Sequence, residues 1–227
     1  MSVSRAASAP GRAFAVDKQQ SKNPLSPPMK LAANLQEQVA GLLRRRILSG
    51  ELVAGTAVRE QELADEFGIS RGPIRDALLT LTKEGLLLAR PNVGVRVAAE
   101  PSPFKRNVIV RLRRDIEGSA LMGWFEKKDP AVLTALEKNL AQYKAACAGT
   151  DLGHVVELDM AFHRLIVEAA DGGSLVDLWL PVILRLYLRY SRHRTLMESY
   201  QEHAAIVKAM QAGHEWQALE LLKQHIV

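Results

Sequence analysis

The apolar residues of the N-terminal part change their spacing once, at Gly85, and this change limits the possible folds more than any other feature. Before Gly85 they recur every three to four residues, which is typical of amphipathic helices. Helices are predicted from a cap near Asn34, over residues 58–67, and from a Ser70 cap to about Glu84. After Gly85 the residues alternate around a Pro-Asn-Val-Gly turn, which predicts two short strands. Three helices followed by a hairpin indicate a winged helix-turn-helix over residues 33–98.

The rest of the chain divides into a leader, a linker and a helical domain. Residues 1–32 are rich in Ser, Ala, Pro and basic residues, which predicts a disordered leader without a function of its own; the alternative is a basic tail that contacts DNA phosphates. Prolines mark a linker over residues 99–103, and the pattern from residue 104 to 227 is helical. Breaks are expected near residues 129–130, 149–153, 171–173, Ser199 and Gly213. We therefore expect a mainly α protein in which an antiparallel six-helix bundle follows the winged helix-turn-helix.

Composition indicates the kind of partner and the compartment. The net charge is +5, and most of the surplus Lys and Arg lies before residue 99, which favours a nucleic acid as partner of the N-terminal domain. Hydrophobic residues make up 48% of the chain, enough for a core, but no apolar run has the length of a membrane span. Cys147 is the single cysteine, so a reducing compartment is expected. These features predict a cytoplasmic protein that does not enter a membrane.

Two arginines at the start of the third helix are candidates for contacting DNA bases. Arg71 and Arg75 are four residues apart, so they project from one face, opposite the apolar stripe. The start of a recognition helix is where a helix-turn-helix meets base edges, and an arginine fork can bond O6 and N7 of guanine together. The alternative is a solvated charged face, in which either arginine contacts Asp76.

A longer stretch carries a family resemblance. Residues 70–78, Ser-Arg-Gly-Pro-Ile-Arg-Asp-Ala-Leu, with Glu-Leu-Ala before them and Glu-Gly-Leu after them, resemble the signature of the GntR family of transcriptional regulators. The resemblance covers about residues 35–98 and implies that Arg71 and Arg75 contact the major groove. Some relatives have a third contacting arginine where this chain has Gln61. The residues implied in DNA binding are Ser70, Arg71, Gly72 and Arg75 on the helix, and Asn92 and Gly94 at the wing tip.

Four residues of the helical domain have a spacing that suits a metal site. Asp159 and His163 are one helical turn apart, on one face. His203 lies ten residues before Gly213 and His225 twelve after it. If Gly213 is the tip of a helix hairpin, the two imidazoles lie at nearly the same level, roughly 15 and 18 Å from the tip. Such a set suits Zn, Ni, Mn or another divalent transition metal, and the alternative is a group of structural histidines.

A second resemblance concerns this domain. Arg113-x-x-x-Glu117, Asp159-x-x-Phe162-His163, Glu202-His203 and His225-Ile226 resemble the FCD domain of the FadR subfamily, in order and in spacing. The resemblance implies that Asp159, His163, His203 and His225 are metal ligands, and that Arg113 faces the effector pocket. Arg113 could equally pair with Glu117. The remaining histidines, His154, His193 and His214, match no ligand position.

These features predict a regulator rather than an enzyme. We expect a homodimeric repressor that binds a palindromic operator on double-stranded DNA and is controlled by a small organic acid in the metal-containing pocket. One alternative is a metal-dependent hydrolase, since such a site is able to activate water, although no general base stands at a useful spacing. Another is a sensor of an acyl ligand without metal. Arg185, Arg189 and Arg192 form either a contact for an acidic ligand or a solvated face.

Overall fold

A computed structural model describes residues 29–90, 93–188 and 195–227. These ranges form nine helices and three short strands. The N-terminal elements are α1 (Met29–Leu48), β1 (Ala57–Val58), α2 (Glu60–Phe67), α3 (Arg71–Lys83), β2 (Leu87–Arg90) and β3 (Gly94–Val97). The C-terminal helices are α4 (Pro103–Lys127), α5 (Pro130–Cys147), α6 (Leu152–Asp171), α7 (Val176–Tyr187), α8 (Leu196–Gln211) and α9 (Glu215–His225). The prediction of a mainly α protein, with a winged helix-turn-helix before a helical bundle, is confirmed.

The three N-terminal helices pack around one apolar core. Ala40 and Leu43 of α1 lie against α3, whose Ile74 and Leu81 are fully buried. The turn between α2 and α3 depends on Gly68, which has a φ of 65° and donates its N–H to the carbonyl of Ala64. A residue with a Cβ is strained in this left-handed conformation, which is why a glycine ends α2 so sharply.

The wing is a three-stranded antiparallel sheet with β3 at its centre. β3 pairs with β2 over the predicted hairpin, with Leu87 opposite Val97 and Arg90 opposite Gly94. It also pairs with β1, where Ala57 lies opposite Arg96. The sequence did not predict β1, because two residues are too short to show an alternating pattern.

Several boundaries differ from the predicted ones. α1 begins at Met29, so Asn34 lies inside the helix and is not its cap. The last four residues of the predicted leader are therefore helical, and residues 1–28 lie outside the described part of the chain. The break expected near Ser199 is wrong. α8 begins at Leu196, where Thr195 accepts a hydrogen bond from the N–H of Glu198 and the Glu198 side chain accepts one from the N–H of Thr195.

The six C-terminal helices form a bundle that touches the N-terminal domain. Ser102 caps α4 with Pro103 at its first position. α4 packs against α6, α7 and α9, while α5 packs against α6 and α8. α1 lies against α6, and this contact joins the two domains. No helix among the described residues combines the length and the apolar character that crossing a membrane requires.

Candidate functional site

Helix α6 supplies two of the four predicted ligands from one face. Asp159 and His163 are both fully buried, and apolar neighbours such as Phe162 and Ile166 hold this part of the helix in the bundle. The helix is capped by Asp151, whose side chain accepts a hydrogen bond of 3.0 Å from the N–H of His154. A carboxylate and an imidazole are thus fixed one turn apart in the centre of the bundle.

The hairpin of α8 and α9 supplies the other two predicted ligands. Gly213, with a φ of 71°, lies between the helices, as the sequence predicted. His203 and His225 consequently meet α6 at the same level. Candidate ligand atoms of the four residues all lie within 4.8 Å of one another. The structure therefore brings the predicted set together, and we call Asp159, His163, His203 and His225 the Asp-His₃ cluster.

The Nε2 atoms of the three histidines face the centre of the Asp-His₃ cluster. Nε2 of His163 lies 3.1 Å from Nε2 of His225 and 3.9 Å from Oδ2 of Asp159. Nε2 of His203 lies 3.4 Å from Oδ1 of Asp159. Three nitrogen donors and one carboxylate at this mutual distance match the donor set of divalent transition metals. The residues present therefore fit a metal ion.

Each imidazole has a fixed partner on its other nitrogen. Nδ1 of His163 lies 2.8 Å from Oε2 of Glu117, and Nδ1 of His225 lies 2.8 Å from Oε2 of Glu202. Nδ1 of His203 lies 2.7 Å from the carbonyl oxygen of Ser199. A proton on Nδ1 would face an oxygen in each case and would leave the Nε2 lone pair directed at the centre, as metal-binding histidines require.

Two tyrosines hold the carboxylate of Asp159. The hydroxyl of Tyr143 donates to Oδ1 at 3.1 Å, and the hydroxyl of Tyr187 donates to Oδ2. Tyr143 also exchanges a hydrogen bond of 2.8 Å with the hydroxyl of Ser199. Sequence reasoning did not place these tyrosines at Asp159, because α5 and α7 reach Asp159 only through tertiary packing.

Arg113 and Glu117 form a buried ion pair beside the Asp-His₃ cluster. Nε of Arg113 donates to Oε1 of Glu117 at 2.7 Å, and Nε1 of Trp179 donates to the same oxygen at 2.7 Å. Nη2 of Arg113 is buried, and no described residue is hydrogen-bonded to it. The guanidinium carbon lies 5.7 Å from the ring centre of Tyr187. The pair that the sequence offered as an alternative is thus formed, and it still leaves Arg113 one donor group to offer.

Both members of this pair are charged. Burial alone raises the pKa of Glu117, but the charge of Arg113 and the contacts with His163 and Trp179 bring it down to about 2. Burial lowers the pKa of Arg113, yet its interactions with Glu117, Tyr187 and Asp159 together outweigh burial and raise the pKa above its usual value. The sequence missed Glu117 as part of the site, although its position one turn after Arg113 was the available signal.

The predicted DNA-contacting face belongs to the N-terminal domain. The side chains of Arg71 and Arg75 are 56% and 60% exposed at the start of α3. Neither arginine forms a hydrogen bond or a salt bridge with Asp76, which was the partner in the alternative interpretation. Both instead bond the carboxylate of Glu60 on α2, which sequence reasoning did not single out.

The other residues of this face are placed as follows. Ser70 is the N-cap of α3 by its backbone angles, but its side chain makes no capping hydrogen bond. Gly72 is exposed in the first turn of α3, and Gly94, with a φ of 85°, opens β3 in the wing. Gln61 bonds Asp65 at 2.8 Å. Asn92 lies outside the described residues.

The remaining candidate side chains that the structure describes are exposed and do not belong to the Asp-His₃ cluster. His154 and His214 are exposed, as expected of histidines that match no ligand position, and His193 lies outside the described residues. Arg185 is exposed next to Gly85, where a Cβ would come 2.7 Å from its Nε. Arg189 and Arg192 also lie outside the described part.

Comparisons with known proteins agree with this architecture. The model of the gntR family of bacterial regulatory proteins matches residues 35–97, and the FCD domain model matches residues 108–227. The chain is 29% identical over 194 residues to the probable D-xylose utilization operon transcriptional repressor of Paenarthrobacter nicotinovorans, covering 83% of this chain and 84% of that protein. It is 29% identical over 191 residues to the gluconate operon transcriptional repressor of Bacillus licheniformis, covering 83% and 78%.

Solved structures have the same fold. Escherichia coli McbR/YncC matches with a TM-score of 0.72 at 22% identity, over 85% of this chain and 93% of that one. A GntR protein of Rhodococcus sp. RHA1 matches with a TM-score of 0.70 at 25% identity, over 85% and 94%. With both domain models matched in order along the chain, this protein belongs to the GntR family of bacterial transcriptional regulators and has an FCD effector-binding domain as its C-terminal half.

Proposed function

We propose that this protein is a repressor whose helical domain senses a small organic acid, bound jointly by Arg113 and by a divalent metal in the Asp-His₃ cluster. The observation that carries the proposal is the buried Nη2 of Arg113, to which no described residue is hydrogen-bonded. A buried donor without an acceptor costs free energy, and a bound carboxylate removes that cost.

Arg113 is close enough to the Asp-His₃ cluster for one ligand to engage both. Its partner Glu117 lies 2.8 Å from Nδ1 of His163. Its guanidinium also packs on the ring of Tyr187, whose hydroxyl donates to Asp159. When bound, a divalent metal supplies Lewis-acid coordination of a carboxylate oxygen. Arg113 then offers a charged donor to the same acid.

The N-terminal domain is the part that binds DNA. We propose that Arg71 and Arg75 contact base edges of the major groove, with Ser70 and Gly72 beside them and the wing residues Asn92 and Gly94 near the minor groove. A homodimer on a palindromic operator suits a domain of this kind, because a two-fold protein matches a two-fold site. Action on chromosomal DNA places the protein in the cytoplasm.

We infer that the C-terminal domain regulates and does not catalyse. Relatives that match most of the chain are named repressors of a D-xylose operon and a gluconate operon. Glu117, the carboxylate next to the cluster, is engaged by Arg113, His163 and Trp179. It is therefore poorly placed to act as a general base.

The test measures metal and acid binding together. Elemental mass spectrometry of untagged protein should find near-stoichiometric Zn, Ni or Mn in the wild type and none in His203→Ala. Calorimetry of metal-loaded protein should then detect gluconate, a hydroxy acid suggested by one relative's name, or succinate. Arg113→Lys should weaken that binding. Absence of metal after reloading, or acid binding that Arg113→Lys leaves unchanged, would refute the proposal.

A further inference from the structure

One carboxylate lies between the two exposed arginines of α3. Oε2 of Glu60 accepts a hydrogen bond from Nη2 of Arg71 at 2.9 Å and another from Nη2 of Arg75 at 3.2 Å. Nε of Arg75 also donates to Oε1 of Glu60 at 3.3 Å. A single side chain of α2 thus bridges both guanidinium groups.

Glu60 lies deeper than the arginines that it joins. Its side chain is 27% exposed, against 56% for Arg71 and 60% for Arg75. The hydrogen bonds from Arg75 and Arg71 lower the pKa of Glu60, so the carboxylate is ionised at neutral pH. It is fixed at the start of α2, whose Leu63 and Ala64 are buried in the core. The bridge therefore has a rigid base.

The bridge leaves donors available on both arginines. In the described part of the chain, the contacts of Arg75 use Nε and Nη2, and those of Arg71 use Nη2. Nη1 of either group has no partner there. Because a guanidinium is planar and carries five donors, holding it by one side orients the other side. Both guanidinium groups are thus oriented before DNA binds.

We propose that Glu60 is a positioning residue that sets the specificity of DNA recognition, by orienting Arg71 and Arg75 and by disfavouring contacts made to phosphate alone. This inference rests on the proposed role of α3 in base contact. An arginine oriented in advance loses less side-chain freedom when it bonds a guanine. This gain in affinity applies only where the DNA sequence has a guanine within reach of the oriented arginine.

The charge of Glu60 acts in the opposite direction on non-specific DNA. Binding without sequence preference depends on neutralising phosphates, and a carboxylate on the contacting face reduces that neutralisation. The penalty applies to every sequence, but only on the operator do the base contacts of the oriented arginines offset it. Glu60 therefore increases the ratio between operator affinity and non-specific affinity.

The test compares two carboxylates of α2. Glu62 is the matched control, because it pairs with Arg59 at 2.7 Å and contacts neither Arg71 nor Arg75. The probes are a 30-base-pair duplex that the wild-type protein selects from a random pool and a scrambled duplex of equal composition. Glu60→Gln should lower the ratio of the two affinities about tenfold, by weakening the selected duplex and leaving the scrambled one as tight or tighter. Glu62→Gln should leave the ratio unchanged.

A second variant separates position from charge. Glu60→Asp keeps the charge but is too short to bridge both groups, so it should weaken the selected duplex without strengthening the scrambled one. It also keeps the proposal testable if Glu60→Gln folds poorly by circular dichroism. Equal ratios for Glu60→Gln and Glu62→Gln would overturn the proposal, and so would tighter binding of the selected duplex by Glu60→Gln.

Arg71→Ala and Arg75→Ala distinguish this inference from the proposed function. If both retain wild-type selectivity, α3 does not contact the bases, and the proposed recognition itself fails. If both lose it while Glu60→Gln behaves like Glu62→Gln, only the role of Glu60 fails. The loss in Glu60→Gln should fall at the base pairs that the arginine variants affect. A loss confined to another base pair would mean direct base contact by Glu60 and would also overturn the positioning role.

Discussion

Nε of Arg113 bonds Oε1 of Glu117 one turn further along α4, in the interior of the bundle, where Arg113 is 5% exposed and Glu117 not at all. Arg164 and Glu168 form the same pair on α6, with the same atoms, the same spacing and the same distance of 2.7 Å. Their side chains are 54% and 38% exposed. The same Arg–Glu pair geometry thus occurs once in the interior of the bundle and once on its surface.

Replacing the carboxylate should lower the free energy of unfolding far more at the buried pair than at the exposed pair. Glu117→Ala leaves the guanidinium of Arg113 buried without its counter-charge, and such a loss typically costs about 3–5 kcal/mol of the free energy of unfolding. Glu168→Ala removes an exposed helix pair, which is worth about 0.3–0.5 kcal/mol. Urea unfolding of metal-free protein, followed by circular dichroism, measures both. Similar losses in the two variants would contradict the burial of the Arg113–Glu117 pair.

Metal binding should stabilise the helical domain through His203. A metal that binds only the folded state adds about 2.7 kcal/mol at a concentration 100-fold above its Kd, which is a rise in Tm of roughly 5–10 °C. Thermal melting of chelator-treated protein with added Zn, Ni or Mn measures the rise. It should disappear in His203→Ala and persist in His154→Ala, because His154 is exposed and away from the Asp-His₃ cluster. An undiminished rise in His203→Ala would exclude this residue as a ligand.

The helical pattern allowed much of the Asp-His₃ cluster to be predicted. Asp159 and His163 share a face by local periodicity, and the turn at Gly213 brings His203 and His225 to one level. Local patterns contain no information on contacts made by packing between distant elements. The tyrosine hydrogen bonds to Asp159 are of that kind, because they span 16 and 28 residues.

The N-terminal domain shows the same limit. The turn before Ser70 and the period of α3 predicted where Arg71 and Arg75 lie, and both are exposed there. The alternative interpretation paired one of them with Asp76, the nearest acidic residue in sequence. Their partner is Glu60 on the preceding helix, since the turn at Gly68 folds α2 back beside the start of α3. Short elements such as β1 were not predicted for a different reason, because two residues are too few to show an alternating pattern.

Loss of either recognition arginine should remove sequence-specific binding. Arg71→Ala and Arg75→Ala should each weaken the selected duplex about tenfold to a hundredfold, which corresponds to one lost pair of guanine bonds. Fluorescence anisotropy at constant salt measures the affinity. Both side chains are exposed, so the melting temperature should stay near that of the wild type. Arg59→Ala is the control, since Arg59 is exposed on α2 and pairs with Glu62. Selectivity that survives both α3 variants would exclude this helix as the source of base contacts.

Arg45 should carry part of the coupling between the two domains. It lies at the end of α1, donates to Asp151 at the start of α6, and reaches Glu157 at 3.4 Å. Its neighbour Arg44 bonds Glu84 at the end of α3 with distances of 2.7 and 3.0 Å. α1 is therefore tied on one side to the recognition helix.

On its other side α1 is tied to α6, the helix that holds Asp159 and His163. We therefore expect a shift of α6 on metal or acid binding to be passed to α1 through Arg45. Coupling between two sites is measured as the ratio of operator affinities with and without the second ligand, and typical values are about 5- to 150-fold. Arg45→Ala should reduce this ratio at least about threefold toward unity when metal and gluconate are added.

The control for Arg45 is the next residue of the helix. Arg46 pairs with Glu66 and Glu51, which both belong to the N-terminal domain, so Arg46→Ala removes an arginine of α1 without touching α6. It should keep the wild-type coupling ratio, even if it weakens operator binding overall. Anisotropy titrations of each variant, in metal-free and ligand-saturated protein, separate the two effects. A wild-type ratio in Arg45→Ala would mean that the coupling runs through other contacts, such as that of Arg185 on α7 with Gly85 before β2.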